Sequence, residues 1–445
     1  MRLLDSAKDG YPSFKDVFLS FRVHNNAIID MIFSDDDSLL ATASGDQTAR
    51  VVDMVTQTTL SALGNHSASL KQVRFQPGSS NNSVLATSSR DGSVQIWDLR
   101  CKGEGNPAQL FQIPTQPAVR LPVWGRPVNS IVDAHKQTYF TRLSSSLPGN
   151  DLPAYGEAAG RAGDMSVTAM TFLPEGREHL LVTASEGDAS VKLWDLRSLH
   201  NKHKTQVALS QTFQPESHNR WRHFGISSMN VNSSGSRLYT LCKDNTVYTY
   251  STNHLILGHA PELSVEPSGR KLPPKETNVG LGPIYGYRHP QLHATSFYVK
   301  SAIRKAKDGK GEMLAVGSSD GCAILFPTDE RYFPLQQQHT DIESEAKPPT
   351  RRPGLRSMGS NSGRVDDSIP ISTNGTPLIR GHDREVGSLA WTSNGDLVTV
   401  GDDFIVRCWR EGEDARDLRT GGEAEGRRWG CGWADVSEEY DEDEC

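Results

Sequence analysis

The chain has 445 residues, 36% hydrophobic and 23% charged, with a formal net charge of -7. That length exceeds one ordinary core and points to two or three domains or one large repeat architecture. The acidic balance excludes a global nucleic-acid-binding surface and leaves only local basic patches. No apolar run approaches the ~18–20 residues of a membrane span, so no membrane contact is expected. The six cysteines form no CxxC pair and no zinc spacing. They read as free thiols in a reducing compartment, with no metal and no cofactor expected.

In chain order, residues 1–22 hold two short strand-like stretches, "MRLLDSAKDG" and "KDVFLSFRVH". Six units with one shared layout follow. A first strand is read in "IIDMIFS", "LKQVRFQ", "VTAMTFL", "ISSMNVN", "SFYVKSAI" and "VGSLAWT". A second, ending in a tight turn, is read in "SLLATASGDQ", "SVLATSSRDG", "HLLVTASEGDAS", "RLYTLCKDNT", "EMLAVGSSDG" and "GDLVTVGDDF". The turn residues Asp46, Asp91, Asp188, Asp244, Asp320 and Asp403 each stand six residues before Val52, Trp97, Trp194, Tyr250, Phe326 and Trp409. No helical period competes with this pattern.

Strand, turn, strand, tight turn, strand, repeated in this way, predicts an all-β chain folded as a WD-repeat β-propeller. The residue six after each aspartate, aromatic in five of the six units, is then a plug between stacked blades. Residues 1–22 fit the third and outer strands of a further blade, giving seven blades with the first incomplete at the N-terminus. The propeller is expected over 23–435. Successive turn aspartates lie 45, 97, 56, 76 and 83 residues apart, against ~40–45 for a plain repeat. The excess falls in segments rich in Pro, Gly and Ser at 103–163, 259–292 and 329–376, read as long loop insertions. Residues 436–445 read as an acidic, disordered tail.

In this fold the turn aspartate commonly joins a histidine, a Ser or Thr and the Trp indole in one hydrogen-bonded network. His66, Ser89, Asp91 and Trp97 fit such a network. His24, Ser44 and Asp46 fit another in which Val52 replaces the Trp. Because Ser, His and Asp recur in every unit, they do not read as a catalytic triad, which would occur once on an exposed elbow. No nucleophile elbow, HExxH, P-loop or dinucleotide motif is present. No catalytic residue is expected, and the protein reads as a non-enzyme.

"RDGSVQIWDLRCK", "SVKLWDLR", "GDQTARVVD" after His24, "TSFYVKSAI" and "GWA" after the last Trp repeat go beyond generic repeat chemistry. With them, residues 15–435 resemble the denticleless-type WD-repeat substrate receptors of a cullin–RING ubiquitin ligase. The resemblance implies docking through Trp-Asp-x-Arg motifs on the ligase's adaptor, itself a β-propeller protein, which the cullin carries. The matching residues are Trp97, Asp98 and Arg100, and Trp194, Asp195 and Arg197. An arginine at that place can offer a planar fork to carboxylates or carbonyls of a partner; the plainer reading is a local salt bridge with the neighbouring aspartate. The resemblance also implies substrates that are degron-bearing replication proteins bound to the sliding clamp, and a nuclear location. A basic degron residue would call for an acidic spot on the propeller face, for which the turn residues Glu186, Asp320 and Asp402 are candidates. "QLHATSFY", Gln291–Tyr298, is the nearest match to a clamp-binding motif, but Ala294 stands where a larger apolar residue is wanted. It is read as part of a blade strand. The basic stretches "KSAIRKAKDGKG" and "KPPTRRPGLR" are weak candidates for DNA contact. The alternative reading is a WD-repeat scaffold in chromatin or signalling with no ubiquitin role.

Overall fold

The computed structural model describes residues 2–4, 17–78, 82–102, 123–135, 165–174, 176–199, 206–220, 222–258, 280–307, 309–332, 369–378, 381–412 and 433–435. Two strands, β1 (Arg2–Leu4) and β2 (Val17–Ser20), pair antiparallel as a separate ribbon. Six blades follow. Blade A holds β3 (Ile28–Phe33), β4 (Leu39–Ser44), β5 (Ala49–Asp53) and β6 (Thr58–Leu63). Blade B holds β7 (Leu70–Phe75), β8 (Val84–Ser89), β9 (Val94–Lys102) and β10 (Val123–Ile131). Blade C holds β11 (Val167–Phe172), β12 (Leu180–Ser185), β13 (Lys192–Asp195) and β14 (Ser210–Gln211).

Blade D runs through β15 (Ile226–Val231), β16 (Arg237–Cys242), β17 (Thr246–Ser251) and β18 (Tyr285–Tyr287), with β22 (Ile371–Ser372) added at its edge. Blade E holds β19 (Ser301–Arg304), β20 (Met313–Val316), β21 (Ile324–Pro327) and β23 (Thr376–Pro377). Blade F holds β24 (Val386–Trp391), β25 (Leu397–Gly401), β26 (Val406–Glu411) and β27 (Trp433–Asp435). Two short helices, α1 (Glu216–Arg220) and α2 (Thr252–Leu257), had no periodic signal in the sequence, as expected for segments of fewer than two turns.

The second and third strands of a blade are near-continuous apolar runs because both faces are covered by neighbouring blades. Trp97 packs with Ala41, Ala43 and Val51 of blade A. Trp194 packs with Ala86, Val94 and Ile96 of blade B. Trp409 packs with Ala315, Ala323 and Leu325 of blade E. Each Trp is thus the plug toward the preceding blade, and Trp97 and Trp409 are each only 1% exposed.

Polar latches join the innermost strands around the ring, one at every interface from A to F. Asp30 accepts the Val73 N–H at 3.0 Å and pairs with Arg74. Gln72 accepts the Met170 N–H at 2.7 Å. Thr168 donates to the Ile226 carbonyl. Asn230 donates to the Ser301 carbonyl at 3.0 Å, and Trp391 to that of Ala302 at 3.2 Å. Each latch satisfies a group that would otherwise be orphaned at a packed interface.

Three expected insertions are shorter than read. Residues 123–131, 285–287 and 376–377 are outer strands, and 371–372 adds an edge strand. Their sequences carry no strand signal: β10 holds Pro127 and two register shifts, β18 is the three residues Tyr-Gly-Tyr, and β23 is two residues ending on Pro377; β10 also pairs with β6, joining the outer strands of blades A and B. The strand read in "SFYVKSAI" begins only at Ser301, so Gln291–Tyr298 is not a blade strand. It is an entry loop held by buried Leu292 and Ala294 and by the Ala294 N–H bonded to Asn245 at 2.8 Å. The basic stretch after Val299 is partly spent internally. Lys300 donates to the Ser227 carbonyl, and Arg304 pairs with Glu411 at 2.7 Å beside Trp391 and Trp433. The acidic tail lies outside the described residues, as do 103–122, 136–163, 259–279 and 333–368 of the insertions, the last with "KPPTRRPGLR".

Replacing Trp97 by alanine should destabilise the fold by about 3–5 kcal/mol, the range for a buried aromatic that leaves a cavity. Urea unfolding at neutral pH measures this; a loss under ~1 kcal/mol would mean Trp97 does not plug the A–B interface.

Candidate functional site

Every blade has the same strand order, so the turn before the third strand and the segment after it lie on opposite rims. Strand β9 is nine residues long, roughly 30 Å at 3.3 Å per residue. Asp91 precedes it and Arg100 lies near its far end. The disc therefore has an aspartate rim and an arginine rim.

The aspartate rim is built from buried networks. In blade B the Trp97 indole donates to Thr87 Oγ1 at 2.8 Å, and Thr87 lies 2.8 Å from His66 Nε2. His66 Nδ1 lies 3.3 Å from Asp91 and 3.1 Å from Ser93. A neutral imidazole satisfies the chain: Nε2 accepts from the threonine and Nδ1–H donates to the carboxylate. Ser89 does not join the histidine to the Trp, contrary to the sequence reading. It donates to the Ala68 and Ser69 carbonyls and accepts the Asp91 N–H, so it closes the turn. Position along the strand explains this: Thr87 and Ser89 share a face, but Ser89 ends β8 at the turn, whereas Thr87 lies two residues further in, against the Trp97 indole.

Blade F repeats the chain through Trp409, Thr399, His382 and Asp403, at 3.0, 2.8 and 3.0 Å. Blade C uses Trp194, Thr183 and His135, but His135 Nδ1 stands 4.0 Å from Asp188, which takes Ser190 and Gln214 instead. In blade A, Thr42 likewise replaces Ser44 as the partner of His24, whose Nδ1 is 2.8 Å from Asp46. With Val52 in the Trp position, Thr42 donates to the Arg50 carbonyl at 3.3 Å. Blade D has a tyrosine version, the Tyr248 hydroxyl donating to buried Asp244 at 2.8 Å.

The candidate substrate carboxylates share this rim but are not brought together. Glu186 is in blade C, and its carboxylate accepts the Ser166 N–H at 3.2 Å. Asp320 is in blade E, half-exposed and 2.6 Å from His293. Asp402 is in blade F and is exposed, with its own N–H donated to the Glu385 carbonyl.

On the arginine rim, Asp98 accepts the Arg100 backbone N–H at 2.9 Å. It also accepts Nε at 2.9 Å and Nη2 at 2.7 Å. Asp195 holds Arg197 in the same way, at 3.0, 3.2 and 3.3 Å. Both arginine side chains are 68% exposed. The local salt bridge and the outward guanidinium therefore coexist. The aspartate fixes the plane of the fork and leaves its outer face in water. Hydrogen bonds from Arg100 hold the Asp98 carboxyl below its usual range. An exposed pair of this kind contributes little to the fold.

Among the described residues, no group of His, Cys, Asp and Glu could hold a metal ion, and no helix is long and apolar enough to cross a membrane.

The geometry defines a WD-repeat β-propeller. The family model "WD domain, G-beta repeat" matches residues 16–53, 57–98 and 375–410. The chain is 29% identical over 92% of its length to "Cell division cycle protein cdt2" of Schizosaccharomyces pombe, covering 63% of that protein. It is 24% identical over 93% of its length to "Denticleless protein homolog B" of Xenopus laevis, covering 45% of it. It is 24% identical over 89% to the "Denticleless protein homolog" of Homo sapiens, covering 41%. The resemblance to denticleless-type WD-repeat proteins is thus shown along about nine-tenths of this chain, which spans from about two-fifths to under two-thirds of those relatives.

Acid should weaken the fold in two stages. Burial lowers the pKa of His24 and His135, and that of His218 to about 4. The unfolded chain then takes these protons first, so stability falls as pH drops below about 6.5. For Asp46 burial acts upward, but the bonds from His24 and Thr48 outweigh it and hold its pKa at about 2. Asp91 and Asp188 are lowered the same way by His66 and Ser93, and by His135, Ser190 and Gln214. Their contribution is present above pH ~4 and is lost as pH falls toward the folded values. Urea midpoints should therefore decrease from pH 7.5 to 5.5 and again below 4; a midpoint that is flat or rises on acidification would contradict the networks.

Proposed function

We propose that this chain is the substrate-recognition subunit of a cullin–RING ubiquitin ligase, a receptor with no catalytic step of its own. It docks on the ligase's β-propeller adaptor through Trp97-Asp98-Leu99-Arg100 and Trp194-Asp195-Leu196-Arg197, and the adaptor links it to the cullin. The observation that carries this reading is the pair of matched arginine forks on adjacent blades B and C. A fork already held in one plane loses little side-chain freedom when a partner carboxylate or carbonyl meets it. The named relatives support the same reading, since the resemblance to them covers both motifs.

The opposite rim is then left for substrate. Its exposed carboxylates, Asp402 and Asp320, suit a basic degron residue. The substrates proposed are replication and cell-cycle proteins bound to the sliding clamp, and the site of action is the nucleus. Direct clamp binding through Gln291–Tyr298 is disfavoured, because Leu292 and Ala294 are buried in the blade D–E boundary.

The double variant Arg100→Ala, Arg197→Ala tests the reading. Both side chains are exposed, so the variant should melt like the wild type, yet co-purification of adaptor and cullin from cells should fall at least tenfold. Normal recovery of both proteins by the variant would contradict WDxR docking. A wild-type chain that brings down neither adaptor nor cullin would favour the chromatin or signalling scaffold.

A further inference from the structure

The arginine rim carries a third fork that the WDxR pattern does not contain. It follows β21 in blade E. Asp329 Oδ1 accepts the Arg331 backbone N–H at 3.0 Å. Arg331 Nε donates to the two carboxylate oxygens at 3.1 and 2.9 Å, and Nη2 donates at 2.5 Å. These are the bonds made by Arg100 with Asp98 and by Arg197 with Asp195. Here the arginine side chain is 86% exposed.

The middle residue shows that the three are one device. In β9 alternation turns the residue between Asp and Arg to the other face; in blade C it lies in a turn and in blade E in the short 3-10 helix Glu330–Tyr332. In blade B it is Leu99, packed against the cluster that holds Trp97. In blade C it is Leu196, 9% exposed in the cluster that holds Trp194. In blade E it is Glu330, which accepts from Arg237 Nε at 2.8 Å and from the Tyr285 hydroxyl at 3.4 Å, both in blade D. An apolar contact in two blades is thus replaced in the third by polar contacts of Glu330, whose side chain is 54% exposed, and the outward fork is the same. The aspartate lies three residues after Phe326 rather than directly after a Trp, so the motif conceals it.

The other described blade ends are built differently. In blade A, Asp53 caps its own turn through Val55 and Thr56. In blade F, Glu411 pairs with Arg304. Blade D, between the forks of C and E, runs from β17 into α2, where Leu257 stands 70% exposed.

We propose that Arg331 is a third guanidinium anchor, so that the docking arc runs from blade B to blade E. The partner face would present carboxylates or carbonyls at three places along that arc. This rests on the reading of Arg100 and Arg197 as docking residues. As with those two, the exposed salt bridge does little for the fold by itself, whereas a guanidinium fixed in plane suits bidentate contact.

Binding of the purified adaptor to the full chain and to its Arg331→Ala, Arg331→Glu and Arg100→Ala variants tests this, for example by biolayer interferometry. Thermal melts of each variant control for folding. The expected result is that Arg331→Ala weakens binding by several-fold to about tenfold, Arg331→Glu weakens it further, and neither changes the melt. If Arg100→Ala weakens binding while Arg331→Ala binds like the wild type, the third anchor is overturned and WDxR docking stands. Weakening by Arg331→Glu alone would overturn the anchor equally, because it signals repulsion near an interface rather than a contact that holds it. If Arg100→Ala also binds normally, the underlying docking reading fails and the third anchor fails with it.

Discussion

A four-stranded sheet leaves two faces open to water, and each blade from B to E closes both by packing between two neighbours. That stacking is the constraint from which the rest of the molecule follows. It calls for a large plug on the third strand, supplied by Trp97, Trp194 and Trp409, or by Tyr250 and Phe326. It also calls for polar partners wherever a backbone group is trapped between blades, which is the work of Asp30, Gln72, Thr168, Asn230 and Trp391. An indole buried in this way needs an acceptor for its N–H. The threonine on the second strand provides it, then the histidine, then the turn aspartate. The aspartate rim is thus the visible end of a network whose role is to seat the plug.

The same strand order separates two kinds of surface. On one rim most turn carboxylates are consumed by the networks, while Asp320 and, beside a network, Asp402 face water. On the other rim the chain has just left the core, and among the described residues Asp98 and Asp195 each accept their side-chain hydrogen bonds from the arginine two residues on. Rigid placement at one end of the strand and exposure at the other come from the same nine-residue β9. A docking residue there inherits the stiffness of the blade without being needed for its stability.

Much of this was legible in the sequence because the spacing is physical. Six residues from turn aspartate to plug is the distance from a tight turn to the middle of the third strand, and it located all six blades. The networks were legible in outline only. Ser89 and Ser44 stand in the sequence reading for Thr87 and Thr42 because two residues along a strand keep the face; only the depth along the strand separates them, and only the threonines reach the imidazole. The outer strands β10, β18 and β23 read as loops in the sequence because β10 is interrupted by Pro127 and irregular register, and β18 and β23 are only three and two residues long. The inter-blade latches left no trace in any single repeat, because each joins residues of two repeats. The fork at Asp329 and Arg331 was hidden by a two-residue offset and by the replacement of an apolar pin with Glu330.

The central claim is that the arginine rim, rather than the aspartate rim, is the face that meets the ligase adaptor. Hydrogen–deuterium exchange of the chain alone and with saturating adaptor tests it directly, because the two rims lie at opposite ends of the same strands. The account predicts slowed exchange in residues 98–102 and 195–199, the ends that carry Arg100 and Arg197, and unchanged exchange in the turns at 89–93 and 185–190. Protection of those turns with no change at 98–102 and 195–199 would contradict it.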